Sequence, residues 1–302
     1  GSQLFLGLFL VPAWSTYIAD LRKRNSVALT VSLAFYLLAL FTHELALPLI
    51  LVFPLLHLCM RNENIRNYKV NFWFLLPFTL YLAVRLAVIQ SPDEIEVTNN
   101  ALLYEDSWWK QKATGLLLLL KYFTKFFYPQ PLVWSYDLKV ITLTTFADYR
   151  VWFGLLIHMA LLVTGISLLR KQSLIAFGIL LYLVGIAFFS QLFILIDATF
   201  AERFMFIPSA GLSIALVSGL SYFIKKEWAV VGVIAGIAVF FLIISANRIP
   251  DWKNNKILFS TDIDKIPNSH RGNAALALSL YSEYVQTQKP DPELLQRSLD
   301  HY

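Results

Sequence analysis

Cysteine is nearly absent from this chain: Cys59 stands alone among 302 residues. Neither a disulfide framework nor a thiolate metal site can form within one copy. Histidine is scarce too. His43, His57, His158, His270 and His301 show no spacing such as H-E-x-x-H that would set two imidazoles on one helix face, which argues against a histidine metal site. Charge is the third shortage. Asp, Glu, Lys and Arg make up 15% of the chain, against about 25% in ordinary soluble domains. The net charge of +5 does not signal a nucleic-acid binder. The cations sit in short loops rather than along one continuous face.

What the chain has in abundance is apolar sequence: 57% hydrophobic and 15% aromatic. A bilayer-spanning helix needs about 20 apolar residues, with about 17–25 tolerated. Eight stretches come near that length: 3–21, 26–42, 43–60, 71–89, 150–169, 173–195, 204–224 and 228–246. Residues 26–60 read as one run broken only at Thr42-His43-Glu44, so a tight hairpin is expected there, with Pro48 and Pro54 disturbing the returning helix. Basic residues mark alternate loops: Arg22-Lys23-Arg24, then Arg61, Arg66 and Lys69, then Arg170-Lys171, then Lys225-Lys226. The positive-inside rule makes these loops cytoplasmic. His43-Glu44, segment 91–149, Glu202-Arg203 and the tail from Asn247 then fall on the opposite side. Trp14, Trp73, Trp152 and Trp228 lie near span ends, as interfacial aromatics do.

Segment 111–128 is apolar enough to suggest a ninth crossing, but an extra crossing would break the alternation of charge. Lys110, Lys112, Lys121 and Lys125 line it. It reads as an amphipathic helix lying in the outer interface with its lysines reaching toward headgroups. Residues 247–302 are polar, with helical periodicity over 269–286 and 291–302 around Lys289-Pro290, and Leu276, Leu280 and Tyr284 on one face. The expected fold is therefore all-α: a polytopic helical membrane domain over 1–246, including outer segment 91–149, followed by a linker and a first tetratricopeptide-like repeat over 247–302. Such a unit needs neighbours to bury its apolar face. The N-terminal Gly1-Ser2-Gln3 runs straight into apolar sequence without an initiator Met or a basic n-region, so it does not read as a signal peptide. An internal piece of a larger protein is expected.

Three polar clusters stand out on the outer side. His43-Glu44 sits where two apolar helices meet, either as a polar contact in an outward cavity or as a wet hairpin tip. Asp197, Glu202 and Arg203 precede the span from 204. Arg203 could fork onto a phosphate, or brace Glu202. In KYFTKFFYPQPLVWSYDLK, Pro129 and Pro131 end the interfacial helix and present Trp134, Tyr136 and Asp137, either to a sugar or lipid headgroup or as part of an aromatic belt. Arg85 lies near the outer end of its span, placed for snorkelling or for a phosphate.

Several segments resemble one family. AERFMFIPSAG, Ala201 to Gly211, resembles the ER-x-x-Y-x-PS-x-G stretch of the transmembrane and tetratricopeptide-repeat proteins that O-mannosylate cadherins, and of their bacterial relatives. Arg248, Trp252 and Leu258-Phe259 resemble that family's link into its repeats. YPQPLVWSY and LLALFTHELALPLIL resemble its proline-aromatic segment and its first hairpin. His43 stands where the family usually has Lys, and Ser135 where it usually has Asp, with Asp137 nearby. The resemblance implies a glycosyltransferase of the GT-C superfamily that moves a sugar from a polyprenyl-phosphate carrier to a protein acceptor. It also implies a catalytic carboxylate in a first outer loop, for which this chain has no equivalent, so the catalytic residue is left unassigned. His43, Glu44, Arg85, Trp134, Tyr136, Asp137, Glu202 and Arg203 are the expected substrate-binding residues, with no evident cofactor and a divalent metal left open. The expected setting is a bacterial inner membrane or the endoplasmic reticulum, with the repeats outside the cytoplasm. A non-catalytic membrane scaffold with partner-binding repeats, or an O-antigen polymerase or ligase-like enzyme, are the alternatives.

Overall fold

A computed structural model describes residues 2–60, 67–88, 100–137, 140–169, 171, 173–196, 198–286 and 296. Among these the chain is helical, with no strand and one isolated bridge between Tyr136 and Phe200. Eleven α-helices follow in order: α1 Ser2–Lys23, α2 Ser26–Thr42, α3 Val52–Cys59, α4 Leu75–Val88, α5 Trp108–Phe127, α6 Tyr149–Leu169, α7 Leu174–Ala187, α8 Phe206–Phe223, α9 Glu227–Arg248, α10 Asn255–Ile263 and α11 His270–Gln286. Five helical stretches among the described residues are long and apolar enough to cross a membrane: Gln3–Lys23, Tyr68–Val88, Tyr149–Leu169, Glu202–Phe223 and Glu227–Lys253. Three more are apolar but shorter: Ser26–Thr42, Glu44–Cys59 and Leu174–Ala187.

Two expected spans differ from their sequence outline, each for a local reason. The 43–60 run is not one helix. His43 is extended and caps a single 3-10 turn, Glu44–Ala46. Pro48, which has no N–H to donate, opens a second turn, Pro48–Leu51, and α3 begins only at Val52. The 173–195 run is helical only to Ala187. The Ser190 hydroxyl donates to the Ala187 carbonyl at 2.6 Å and accepts from the Leu192 N–H at 3.2 Å, and Gln191 takes a positive φ of 58°. Two polar residues in an apolar run thus turn the chain out of the helix.

The chain divides into two compact units. The first joins residues 1–94, 152–194 and 202–223. In α1, Leu6, Leu10, Ala13, Tyr17 and Leu21 recur every three or four residues and are fully buried, one stripe against α2. Ser32 of α2 donates to the Ala13 carbonyl at 2.6 Å. An aromatic cluster fills the centre. Tyr17 and Tyr36 meet Phe53 and Phe74 edge-on, and Phe53 and Phe74 stack at 3.6 Å. Helices α7 and α8 touch backbone to backbone: a Cβ on Gly178 would lie 2.5 Å from the Gly211 carbonyl oxygen. Such small-residue contact is how helices approach closely in lipid, where apolar side chains gain little by leaving the solvent. His158 of α6 lies 2.7 Å from the Tyr182 hydroxyl of α7 and 2.8 Å from the Gly154 carbonyl. The carbonyl can only accept, so Nδ1 carries the proton and Nε2 accepts from Tyr182.

The second unit joins residues 95–151, 195–201 and 224–302. In helix α5, Ala113, Leu117, Leu118 and Tyr122 are buried. Tyr122 stacks on Phe200 at 4.3 Å and its hydroxyl accepts from the Ala201 N–H. The buried Asn100 donates to the Ile196 carbonyl at 2.7 Å. Helices α10 and α11 pack together around Ile263, Leu276 and Leu280, with Phe259 against them. Expected helix 269–286 is therefore present as α11, but its described companion is α10, which precedes it. Tyr284 is only half-buried and stacks on Tyr281 rather than joining that core. Expected piece 291–302 lies outside the described residues except for position 296, as do Arg61, Arg66 and Arg170 of the basic loops.

Candidate functional site

Five of the expected site residues, His43, Glu44, Arg85, Glu202 and Arg203, lie in the first unit. The backbone bend that ends α2 puts His43 in extended conformation (φ −162°), and its Nδ1 accepts from the Leu45 N–H at 3.2 Å. Nδ1 is thereby committed as an acceptor, which leaves the imidazole proton on Nε2. Burial holds the His43 pKa below its ordinary value; the Glu44 carboxylate opposes that shift and the Arg203 guanidinium reinforces it. Burial thus favours the neutral ring, which senses charges from two separate segments.

Glu44 opens the 3-10 turn, and its carboxylate lies 2.5 Å from Arg85 Nη1. Arg85 also donates to the Tyr81 hydroxyl, one helical turn back in α4, at 2.9 Å. Tyr81 in turn meets Phe41 of α2 edge-on at 5.4 Å. Both charged side chains keep substantial solvent contact, 33% for Arg85 and 50% for Glu44. A pair so exposed is worth about 0–1 kcal/mol. It contributes little to holding the fold together, and an anion that competes for Arg85 gives up little by opening it.

Arg203 sits in the 3-10 turn Glu202–Met205 at the head of α8. Its guanidinium lies 5.1 Å over the Phe204 ring, and Phe204 is buried, stacked on Phe189 at 4.2 Å. The Glu202–Arg203 brace, the alternative to phosphate contact, is not formed among the described residues, where no carboxylate is within ion-pair reach of Arg203. A solvent-facing guanidinium on an aromatic platform, near a neutral imidazole and a weakly held Arg–Glu pair, suits an oxyanion with more than one acceptor oxygen. Asp197, the remaining member of the second sequence cluster, lies outside the described residues.

The third sequence cluster is not an outward-facing surface. Asp137 is 3% exposed and accepts from the Ser269 hydroxyl and the Arg271 N–H, both at 2.8 Å, so it caps the start of α11. Tyr136 is buried, donates to the Pro131 carbonyl at 3.0 Å and accepts from Lys125 Nζ at 3.0 Å. Trp134 is half-buried, its ring 5.0 Å from Phe259 with Arg271 5.2 Å above it. The proline-aromatic segment is thus a dock for α10 and α11 within the second unit. The sequence left headgroup binding and an aromatic belt both open, because aromatics beside a carboxylate look alike whether they face lipid or a neighbouring helix.

Sequence reasoning missed a buried carboxylate in that unit that ties three segments together. Asp262, 1% exposed, accepts from Arg248 at 2.6 and 2.8 Å, from the Trp134 N–H at 2.7 Å and from Lys265 at 3.3 Å. Asp251 holds the same Arg248 at 2.7 Å. In a polar tail Asp262 reads as one more solvated charge. The signal that could have marked it is Leu258 and Ile263 beside it on a short apolar stripe. A second unnoticed group lies in the first unit, where the buried Tyr17 hydroxyl donates to Asn71 at 2.6 Å and lies 3.4 Å from His57 Nδ1.

Comparison with known proteins finds no matching family model, no matching curated sequence and no matching solved structure. Among the described residues, no group of three or more His, Cys, Asp or Glu side chains gathers where a metal ion could be held.

Proposed function

We propose that this chain is the membrane-embedded part of a glycosyltransferase that takes a sugar from a polyprenyl-phosphate carrier and passes it to a protein acceptor on the non-cytoplasmic side. In this reading α2, residues 44–59 and α7 cross together with the five long helices, giving eight crossings, and α5 lies along the outer interface. The observation that carries the proposal is the convergence of His43, Glu44, Arg85 and Arg203 within one unit. These residues come from three separate stretches of sequence that the positive-inside rule puts on the same side. A lipid-borne donor needs a cation at membrane level for its phosphate, because an unpaired phosphate near the apolar layer is costly. Arg203 supplies a fork for that phosphate, Arg85 a second cation once Glu44 yields, and His43 Nε2 a neutral donor. The resemblance of the Ala201–Gly211 segment to the O-mannosyltransferase family supports the same reading.

The test is donor binding. The chain, purified in neutral detergent, is titrated with a polyprenyl-phosphate mannose and, separately, with the free polyprenol. Tighter binding of the phosphate-bearing lipid is expected; equal affinity for the two would overturn the proposal. One observation favours the scaffold reading instead. Helices α10 and α11 border a groove of about 960 Å³ lined by Asn254, Phe259, Leu278, Ser282 and the Lys256–Glu283 pair, a surface suited to a partner chain. Partner capture without donor binding would favour it.

A further inference from the structure

Helix α5 carries four lysines, and the fold provides for three of them. Lys110 pairs with Glu105 at 3.2 Å. Lys112 lies 5.4 Å over the Trp108 ring. Lys125 donates to the Tyr136 hydroxyl and the Pro131 carbonyl and lies over the Tyr136 ring. Lys121 differs. Its side chain is half-buried, and among the described residues no carboxylate or carbonyl oxygen lies within hydrogen-bond or ion-pair reach of its ammonium. The charges that act on it are Arg150 and Lys125, both cations, and together with burial they push its pKa down. Asp148 offers no relief, because its carboxylate is clasped by Arg150 through Nε and Nη2 at 2.7–3.0 Å.

A half-buried ammonium facing like charges is an unfavourable arrangement, and proteins keep such charges paired. Among the described residues nothing supplies that partner, and an anion from outside the chain would fill the place. Lys121 and Lys125 are one turn apart on α5, so their Cβ atoms lie about 5–6 Å apart on one face, close enough for one tetrahedral anion to touch both ammonium groups. The ends of α5 carry exposed aromatics, Trp108 and Trp109 at one and Phe127 and Tyr128 at the other. That is the pattern of a helix seated at the level of lipid headgroups.

We infer that Lys121, with Lys125 and Arg150, forms a binding site for a phosphate group, that of an anionic lipid headgroup at the membrane surface. The site lies in the second unit and does not depend on sugar transfer, so it stands or falls apart from the donor-binding reading. The test uses the full 302-residue chain in neutral detergent. Thermal melting is followed during titration with phosphatidylglycerol, phosphatidylcholine or inorganic phosphate. Phosphatidylglycerol is expected to stabilise the chain at roughly tenfold lower concentration than phosphatidylcholine. Lys121→Gln should weaken that response by about tenfold to a hundredfold, the loss of one charge-assisted hydrogen bond. Lys121→Arg should keep most of it, and Lys110→Gln, whose native partner is Glu105, should respond like wild type. Inorganic phosphate as effective as phosphatidylglycerol would support the site and assign it to a soluble phosphate. Equal responses to the two lipids in the unmodified chain would overturn the inference even if Lys121→Gln failed to fold. A Lys121→Gln protein that responds like wild type would overturn it too.

Discussion

Asp262→Asn should loosen the second unit more than any other single charge removal in the tail. Asp262 accepts four contacts at 1% exposure: two from the Arg248 guanidinium, one from the Trp134 N–H and one from Lys265. Neutralising one partner of a buried ion pair costs about 3–5 kcal/mol, because the other charge is left uncompensated. Asp251 still reaches Arg248 at 2.7 Å and is itself 20% exposed, which offsets part of the loss. A net cost of about 2–3 kcal/mol is expected. For a unit of this size that corresponds to a fall of roughly 4–12 °C in melting temperature. Asp251→Asn removes the outer, wetter half of the same arrangement and should cost about 0–1 kcal/mol. Both variants would be melted in detergent, with tryptophan fluorescence as the readout, since Trp134 sits on the affected contact. The asymmetry is the test. If Asp262→Asn is no more destabilising than Asp251→Asn, the carboxylate is not the hub that ties Arg248 to the Trp134 segment.

Gly211→Ala should be poorly tolerated, because the added Cβ would lie 2.5 Å from the Tyr182 backbone nitrogen and 2.6 Å from the Gly178 carbonyl oxygen. Overpacking of this kind costs about 1–3 kcal/mol or more. Gly219→Ala, with nothing within 4 Å, should leave the melting temperature unchanged within error; equal effects would mean that α7 and α8 do not meet as described. Membrane sidedness is checked by single cysteines in a Cys59→Ser background. Lys23→Cys and Lys226→Cys should react only from the cytoplasmic side and Lys110→Cys only from the other; cytoplasmic labelling at 110 would reverse the assignment of the site.

The parts of the fold that could be read from sequence are those where one local signal dominates. The break at His43-Glu44 is the sharpest polar interruption in a long apolar run, and α2 does end at Thr42. Helix α11 shows its Leu276–Leu280 spacing directly, and both residues are buried. Sequence reasoning fell short where a contact between distant residues decides. The stop of α7 at Ala187 has a local cause instead, the Ser190 hydroxyl bonding the Ala187 carbonyl and the Leu192 N–H, which hydropathy scores as a minor dip. The inward turn of Asp137 depends on Ser269 and Arg271, more than 130 residues away in the chain. At the candidate site, His43, Glu44, Arg85 and Arg203 could each be suspected as polar groups at span ends. Their mutual arrangement could not, because the Glu44–Arg85 pair arises only once α2 and α4 are in place and Phe204, under Arg203, is held by its stacking on Phe189.

The central claim, that a phosphate-bearing lipid engages Arg203, is tested most directly by measuring polyprenyl-phosphate binding to purified Arg203→Ala and Arg203→Lys beside the unmodified chain. A lost charge-assisted contact is worth about 1.5–3 kcal/mol, so Arg203→Ala should weaken binding by roughly tenfold to a hundredfold. Its melting temperature should hardly move, since among the described residues Arg203 has no ion-pair partner and is exposed. Arg203→Lys should recover only part of the affinity, because an ammonium cannot form the two-pronged contact of a guanidinium. Arg203→Ala protein that melts normally and binds the phosphate-bearing lipid with unchanged affinity would contradict the account.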